Sequence, residues 1–271
     1  MSGGTQAPAP PKAVPLHGDA ARVAAGLRLA VLAADLPDGL TARVLDLDDS
    51  GRLGDFRLRV VATLADPDHY RMAGEVGNFV ADHLGDKGVT AGIFRGDRLI
   101  AYGALGLPGP DDPNRGRDLD LPEDELALVA HMSSAMVAPE ERGRGLHHRL
   151  IDWRLEVAQA LGRRHLLTTV STRNHCSWGH LASHGLYPER LIRVGGDLVR
   201  LLVHHDVLAE PAFDPASAVL VAVEELCGRW DVFDRGGRVW ARLSIGDGAD
   251  RRWFALCGRD LRGRDLSGRG R

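Results

Sequence analysis

The chain has 271 residues, 44% of them apolar and 26% charged, with a formal net charge of −3 at pH 7, the proportions of a globular protein of one large or two small domains. No run approaches the roughly 20 apolar residues that span a bilayer, three cysteines are too few for a disulfide scaffold, and the charge balance gives no reason to expect nucleic acid as a partner. The start Met1-Ser2-Gly3-Gly4 lacks the basic and apolar regions of a secretory signal, so a reducing, cytoplasmic setting is expected.

Residues 1–17 carry Pro8, Pro10, Pro11 and Pro15 and are expected to form a disordered arm. Residues 18–34 are Ala- and Leu-rich and read as helix, followed by a polar stretch at Asp46–Gly54. Tyr70, Met72, Val76, Phe79, Val80 and Leu84 are spaced by about three and four, which predicts a helix over 68–84. Val89–Phe94 and Leu99–Leu107 are β-prone runs around Arg95-Gly96-Asp97-Arg98, the pattern of a hairpin. The acidic segment 109–126 reads as a solvated loop, with attraction of a cationic amine as its other use. A strand is predicted at Leu126–Val137, stopped by Pro139.

A helix follows at 145–161, its buried face marked by Leu146, Leu150, Ile151, Val157, Ala158 and Leu161, with Gly162 as a stop. Leu166–Val170 reads as a buried strand, Asn174–His184 as a short helix closed by Gly185, and Leu191–Val203 as one or two strands. Strand and helix alternating after a hairpin predict an α/β domain with a mixed sheet. Glu210-Pro211 and Asp214-Pro215 mark a boundary. Beyond it, an apolar run (Ala218–Leu226), a hairpin joining Trp230–Phe233 to Arg238–Leu243, and a frayed arginine-rich end at 251–271 are expected.

The stretch richest in chemistry is Met136-Val137-Ala138-Pro139-Glu140-Glu141-Arg142-Gly143-Arg144-Gly145-Leu146. A strand ends at a proline, a loop of arginine and glycine follows, and a strong helix begins. Gly143 and Gly145 permit backbone conformations that let several N–H groups converge on one anion at a helix N-terminus, and Arg142 and Arg144 add charge. A pyrophosphate suits such a cradle. His148 stands where a dinucleotide fingerprint needs its third glycine, and no Gly-Lys-Ser/Thr ending is present, so Rossmann and P-loop chemistry are disfavoured.

The pattern Val-x-Pro-x-x-Arg-Gly-x-Gly-Leu resembles the acyl-CoA signature of the GNAT superfamily of N-acetyltransferases. The resemblance implies that Arg142, Gly143, Arg144, Gly145, Leu146 and His147 hold the CoA pyrophosphate through backbone amides. His147 departs from it, standing where Gly or Ala is usual. Asn174 opening a helix, Ser177 three residues on, and a close at Gly185-Leu186 are similar to the family's next helix. The likeness is good over 88–205, weaker over 40–87 and absent from 206 onward.

That resemblance implies a twisted, mostly antiparallel mixed sheet flanked by helices over 18–205; residues 206–271, outside the likeness, are expected to form an accessory subdomain that shapes the acceptor site or makes a homodimer contact. It implies acetyl-CoA as cosubstrate, an amine-bearing acceptor, no metal, and direct attack in a ternary complex. Met136, Val137 and Ala138 would line the cosubstrate, with a backbone N–H near Met136–Val137 facing the thioester oxygen. His131, on the same strand, is the candidate base. The tyrosine that often serves as acid is replaced by Leu181, which leaves His180 and Tyr187 as substitutes. Two other readings stay open: a non-catalytic acyl-CoA-binding module, and a zinc site of Cys176, His180 and His184 completed by His147 or His148.

Overall fold

The computed structural model describes residues 17–34, 36–70 and 79–261. The Ala- and Leu-rich start forms helices α1 (Gly18–Leu27) and α2 (Leu29–Ala33), which bury Ala21, Ala25 and Leu32. Strand β1 (Leu40–Val44) follows. The polar stretch at Asp46–Gly54 is a helix start. A capping box between Asp46 and Asp49 opens one turn that runs into helix α3 (Ser50–Ala62), which buries Leu53, Phe56, Arg57 and Val60. The helix read at 68–84 is reduced to a turn at Pro67–His69 and helix α4 (Phe79–Leu84), and 71–78 fall outside the described residues. So do residues 1–16 of the arm.

The hairpin forms as read, from β2 (Gly88–Arg95) and β3 (Arg98–Gly106), with Gly96 at φ +57° in its turn. The next strand starts later than expected. Pro122 and three acids suit a helix N-terminus, so Glu123–Leu126 is a helical turn, α5, and β4 spans Val129–Val137. Then come α6 (Leu146–Ala160), β5 (His165–Ser171), α7 (His175–Ala182), β6 (Tyr187–Val194) and β7 (Leu198–Asp206).

The seven strands order as β1-β2-β3-β4-β5-β7-β6. Every neighbouring pair is antiparallel except β4–β5. The mixed α/β sheet read from the sequence is therefore the fold observed. Alternation along the strands separates two cores. Ile100, Ala101 and Leu105 of β3 face α1, α2 and α6, while Leu99, Tyr102 and Ala104 face α3 and α4.

After Asp206 a second sheet is built from β8 (Val219–Ala222), β9 (Gly237–Ile245) and β10 (Arg252–Arg259), in the order β8-β10-β9. Two expectations are corrected here. Trp230–Asp234 is a short helix, α8, that buries Val232 and Phe233 and is followed by Gly236 at φ +74°, so β9 pairs with β10 instead. Residues 252–259 are the central strand of this sheet, with Ala255 and Cys257 buried, and only 262–271 lie outside the described residues.

The second sheet sits on β6 and α7. Arg238 bridges Glu189 of β6 at 2.9 Å and Asp260 at 3.0 Å, and Tyr187 packs on Trp240 with ring centroids 4.8 Å apart. A Cβ on Gly179 of α7 would meet the Arg242 side chain at 3.1 Å. Among the described residues no helix is long and apolar enough to cross a membrane.

Candidate active site

The parallel pair β4–β5 is short. Val129, Ala130 and His131 pair with His165, Leu166 and Leu167, and then the strands part, although β4 runs on to Val137 and β5 to Ser171. Thr168 Oγ1 donates to the Met132 carbonyl at 2.8 Å where they separate. At the same place β4 carries an extra residue. Between the pairs Ala104–Ser134 and Gly106–His131, β3 advances two residues and β4 three, a bulge at Met132–Ser133 that re-aims the strand.

The bulge decides which backbone groups face the gap. Ala138 N–H donates to Ile100 O while Val137 sits opposite Ala101, so Val137 and Ala101 form a non-hydrogen-bonded pair. The N–H and C=O of Val137, and of Ala135 two residues earlier, therefore point away from β3 and toward the space that β5 has left. Arg142 Nε donates to the exposed Val137 carbonyl at 3.3 Å. Of the three strand residues singled out from sequence, Val137 presents its backbone to the gap. Met136 is paired with Tyr102 in the ladder, and Ala138 spends its N–H on Ile100.

The same strand leads into the arginine-glycine loop. Gly143 and Gly145 adopt φ +77° and +74°, the left-handed region where a side chain is costly, and a Cβ at either would meet nothing within 4 Å. The glycines therefore serve backbone shape, and open space lies before them. Among the described residues the N–H groups of Gly143, Arg144 and Gly145 find no acceptor. They lie at the start of the 15-residue α6, where the helix dipole is positive. This donor set fits a pyrophosphate.

Arg142 and Arg144 are exposed. Arg144 Nε lies 3.4 Å from Glu141, and Leu146 is buried under α6. Asn174 caps α7 by accepting the Ser177 N–H at 3.2 Å, so these two residues shape the helix start beside β5.

A cavity of about 400 Å³ opens at the parting of the strands. Its walls include Met132 and Ser133 of the bulge, Thr168 of β5, Arg200 of β7, and His83 of α4. His131 lines it too, but its Nε2 accepts the Arg115 backbone N–H at 3.1 Å. Burial, with the Arg115 charge nearby, pushes the His131 pKa down to about 3.

The other two candidates lie elsewhere. His180 faces α6, with its Nδ1 3.0 Å from His147 Nδ1, and burial and the neighbouring His148 push its pKa down to about 4. Tyr187 packs beneath the second sheet on Trp240. The structure thus does not bring His131, His180 and Tyr187 together.

The zinc reading also loses its geometry. His148 Nδ1 and His184 Nε2 lie 2.8 Å apart, and His184 Nδ1 meets Asp152 at 2.7 Å. Cys176 is turned the other way, toward Arg242 at 3.3 Å. Among the described residues no group of three or more His, Cys, Asp or Glu side chains is arranged to hold a metal ion.

No family model matches the chain, and no curated protein sequence matches it. Solved structures do. A GCN5-related N-acetyltransferase from Kribbella flavida is similar at 21% identity over 63% of this chain and 99% of its own, with a TM-score of 0.44. Arabidopsis thaliana NAA60 in complex with acetyl-CoA is similar at 11% identity over 63% and 99%, with a TM-score of 0.47. A GNAT-family acetyltransferase from Streptococcus pneumoniae is similar at 18% identity over 62% and 99%, with a TM-score of 0.43.

Proposed function

We propose that the chain is an N-acetyltransferase of GNAT type that moves an acetyl group from acetyl-CoA to a primary amine by direct attack in a ternary complex. One observation carries the reading. Strands β4 and β5 part beside a bulge, the freed Val137 backbone faces the gap, and the same strand ends in an anion cradle. A chain of amide groups with a pyrophosphate at one end fits that gap, and acetyl-CoA bound there would supply an activated acyl group.

The protein's share of the chemistry follows from its own groups. The cradle amides of 143–145, with Arg142 and Arg144, hold the anion, and Asn174 and Ser177 shape the far wall. The Val137 N–H, aimed into the gap, stabilises negative charge growing on a carbonyl oxygen. The cavity at the parting receives the amine. An alkylammonium has a pKa of about 10.4, so making it neutral at pH 7 costs about 4–5 kcal/mol, and a proton acceptor in that cavity lowers the barrier. A cytoplasmic setting and an accessory role for the second sheet, in the acceptor site or a homodimer, belong to the same proposal.

The test is the melting temperature with and without acetyl-CoA, for the wild type and for Gly145→Trp. Saturation at 100 times Kd stabilises by about 2.7 kcal/mol, so a clear rise in the wild type alone is expected, followed by thiol release with an amine panel. No rise at millimolar acetyl-CoA would overturn the reading. A rise without thiol release on any amine would favour the non-catalytic module.

A further inference from the structure

Helices α6 and α7 begin at the same end of the sheet. Strands β4 and β5 are parallel, and each is followed by its helix. The contacts between the helices agree. His147 meets His180 at 3.0 Å, His148 meets His184 at 2.8 Å, and Asp152, one turn later, meets the same His184 at 2.7 Å. The pairs advance together along both helices, so both N-termini open on one side. The anion cradle stands at the start of α6, and Asn174, His175 and Cys176 stand at the start of α7.

An arginine of the second sheet is seated on that part of α7. Arg242 of β9 lies against Gly179, where a Cβ would meet its Cβ and Cδ at 3.1 Å and its Nε at 3.3 Å. Gly179 has no positive φ, and a glycine inside a helix is unfavourable, so space for the arginine is what it supplies. The guanidinium carbon lies 4.4 Å from the centre of the Trp253 ring. The His175 ring stacks on the same indole with centroids 4.8 Å apart. Nη1 donates to Cys176 Sγ at 3.3 Å and lies 3.5 Å from His175 Nδ1. Helix, glycine and indole thus fix where the charge sits.

That charge meets a thiol and an imidazole, and among the described residues no carboxylate pairs with it. Arg238, Arg251 and Arg259 of the same sheet each meet a carboxylate. Burial first, and then the Arg242 charge, lowers the His175 pKa. Behind burial and the neighbouring His148, the same charge also lowers His180, so its field reaches toward the start of α6.

We infer that Arg242 receives the ribose 3′-phosphate of acetyl-CoA, an assignment that rests on the acetyltransferase reading. A single ribose joins that phosphate to the pyrophosphate, so a pyrophosphate on the cradle keeps the second anion close by, on the side where both helices begin. A guanidinium with one face on an aromatic ring and an edge free of carboxylates suits a phosphate monoester, whose oxygens it can take two at a time. Arg142 and Arg144 stay with the pyrophosphate. The second sheet then serves the donor end of the site, a task beyond an acceptor-side or dimer role.

The experiment measures binding of CoA and of 3′-dephospho-CoA by calorimetry on the full chain, for wild type, Arg242→Gln, Arg242→Lys and Arg144→Gln, with the melting temperature of each. In the wild type CoA should bind about tenfold tighter or more than 3′-dephospho-CoA. Arg242→Gln should bring that ratio to about one by weakening CoA alone. Arg242→Lys keeps the charge without the fork and should keep only part of the ratio. Arg144→Gln should weaken both ligands alike and leave the ratio intact.

A wild type that binds neither compound would overturn the functional reading and this inference with it. Equal wild-type affinity for the two would overturn this inference alone. So would a ratio that survives Arg242→Gln, one that vanishes in Arg144→Gln instead, or an Arg242→Gln variant that folds and weakens both ligands equally. Should Arg242→Gln fail to fold, Arg242→Lys decides, and a ratio equal to that of the wild type would sink the inference.

Discussion

Arg95 of β2 and Glu141 of the anion loop form a two-pronged ion pair, Nε to Oε1 at 3.0 Å and Nη2 to Oε2 at 2.9 Å. Strand β3 lies between β2 and β4, so the pair reaches over it and ties the loop's first turn to the hairpin. Glu141 is buried, and Arg144 also leans on it. The cradle's shape is thereby held from its N-terminal side, before α6 begins.

The hydrogen bond from Arg95 holds the Glu141 carboxyl below its usual pKa. Its contribution to stability is therefore present above the unfolded carboxylate value and is lost as pH falls through the lower folded one. For Glu141→Gln we expect a lower melting temperature and weaker acetyl-CoA binding at pH 7. The stability gap to the wild type should close below about pH 4. Thermal melts of both proteins from pH 3 to 8 check this.

Val137 and Met136 differ in where their N–H groups point, and proline separates the two. Val137→Pro removes an N–H that faces the gap and takes no ladder bond from β3, so the fold should persist while turnover falls about 10²–10³-fold. Met136→Pro removes a ladder bond and should lower the melting temperature instead. Circular dichroism and thiol release on both variants distinguish the cases.

Three imidazoles make acid stability a histidine property. Burial, as the first cause in each, pushes His131 down to about 3, and His165 and His180 down to about 4, from 6.5. Between about pH 4 and 6.5 the unfolded chain binds protons that the folded one refuses, so stability rises with pH there. Urea unfolding at half-unit pH steps measures it.

Arg238 is the charged link between the two sheets. Its partners Glu189 and Asp260 have side chains only 15% and 6% exposed. Arg238→Met leaves both carboxylates short of a cation, and a loss of about 1–3 kcal/mol is expected. If the second sheet supports α7, limited proteolysis should cut the variant first within 207–261.

Much of the main sheet was legible because its signals are local. The 89–107 hairpin, the helix at 145–161 and the arginine-glycine loop each carry their pattern within a few residues. Helix α3 was hidden because Gly51, Gly54, Arg52 and Asp55 dilute its apolar stripe, although Asp46 and Asp49 already spelled a capping box. Strand β10 was hidden because arginines at both ends outweighed the run Trp253-Phe254-Ala255-Leu256-Cys257. His131 is marked in the sequence by its place on the strand that runs into the arginine-glycine loop, whereas the place of His83 in the cavity wall follows only once β2 and β3 pair Gly88 with Gly106. That coincidence is tertiary, and no spacing along the chain announces it.

The extra residue in β4 makes this segment sensitive to length as well as to composition. Deleting Ser133 would leave Met132 opposite Leu105 between the same two flanking pairs, Ser134 with Ala104 and His131 with Gly106, so the bulge would heal with the ladder on either side unchanged. Met136 and Val137 would keep their partners on β3, and the loss would be the bend by which β4 is re-aimed where it parts from β5. A single in-frame codon loss here would do more harm than most substitutions, so length variation among homologous chains should fall in loops such as 108–120 and spare the nine residues of β4.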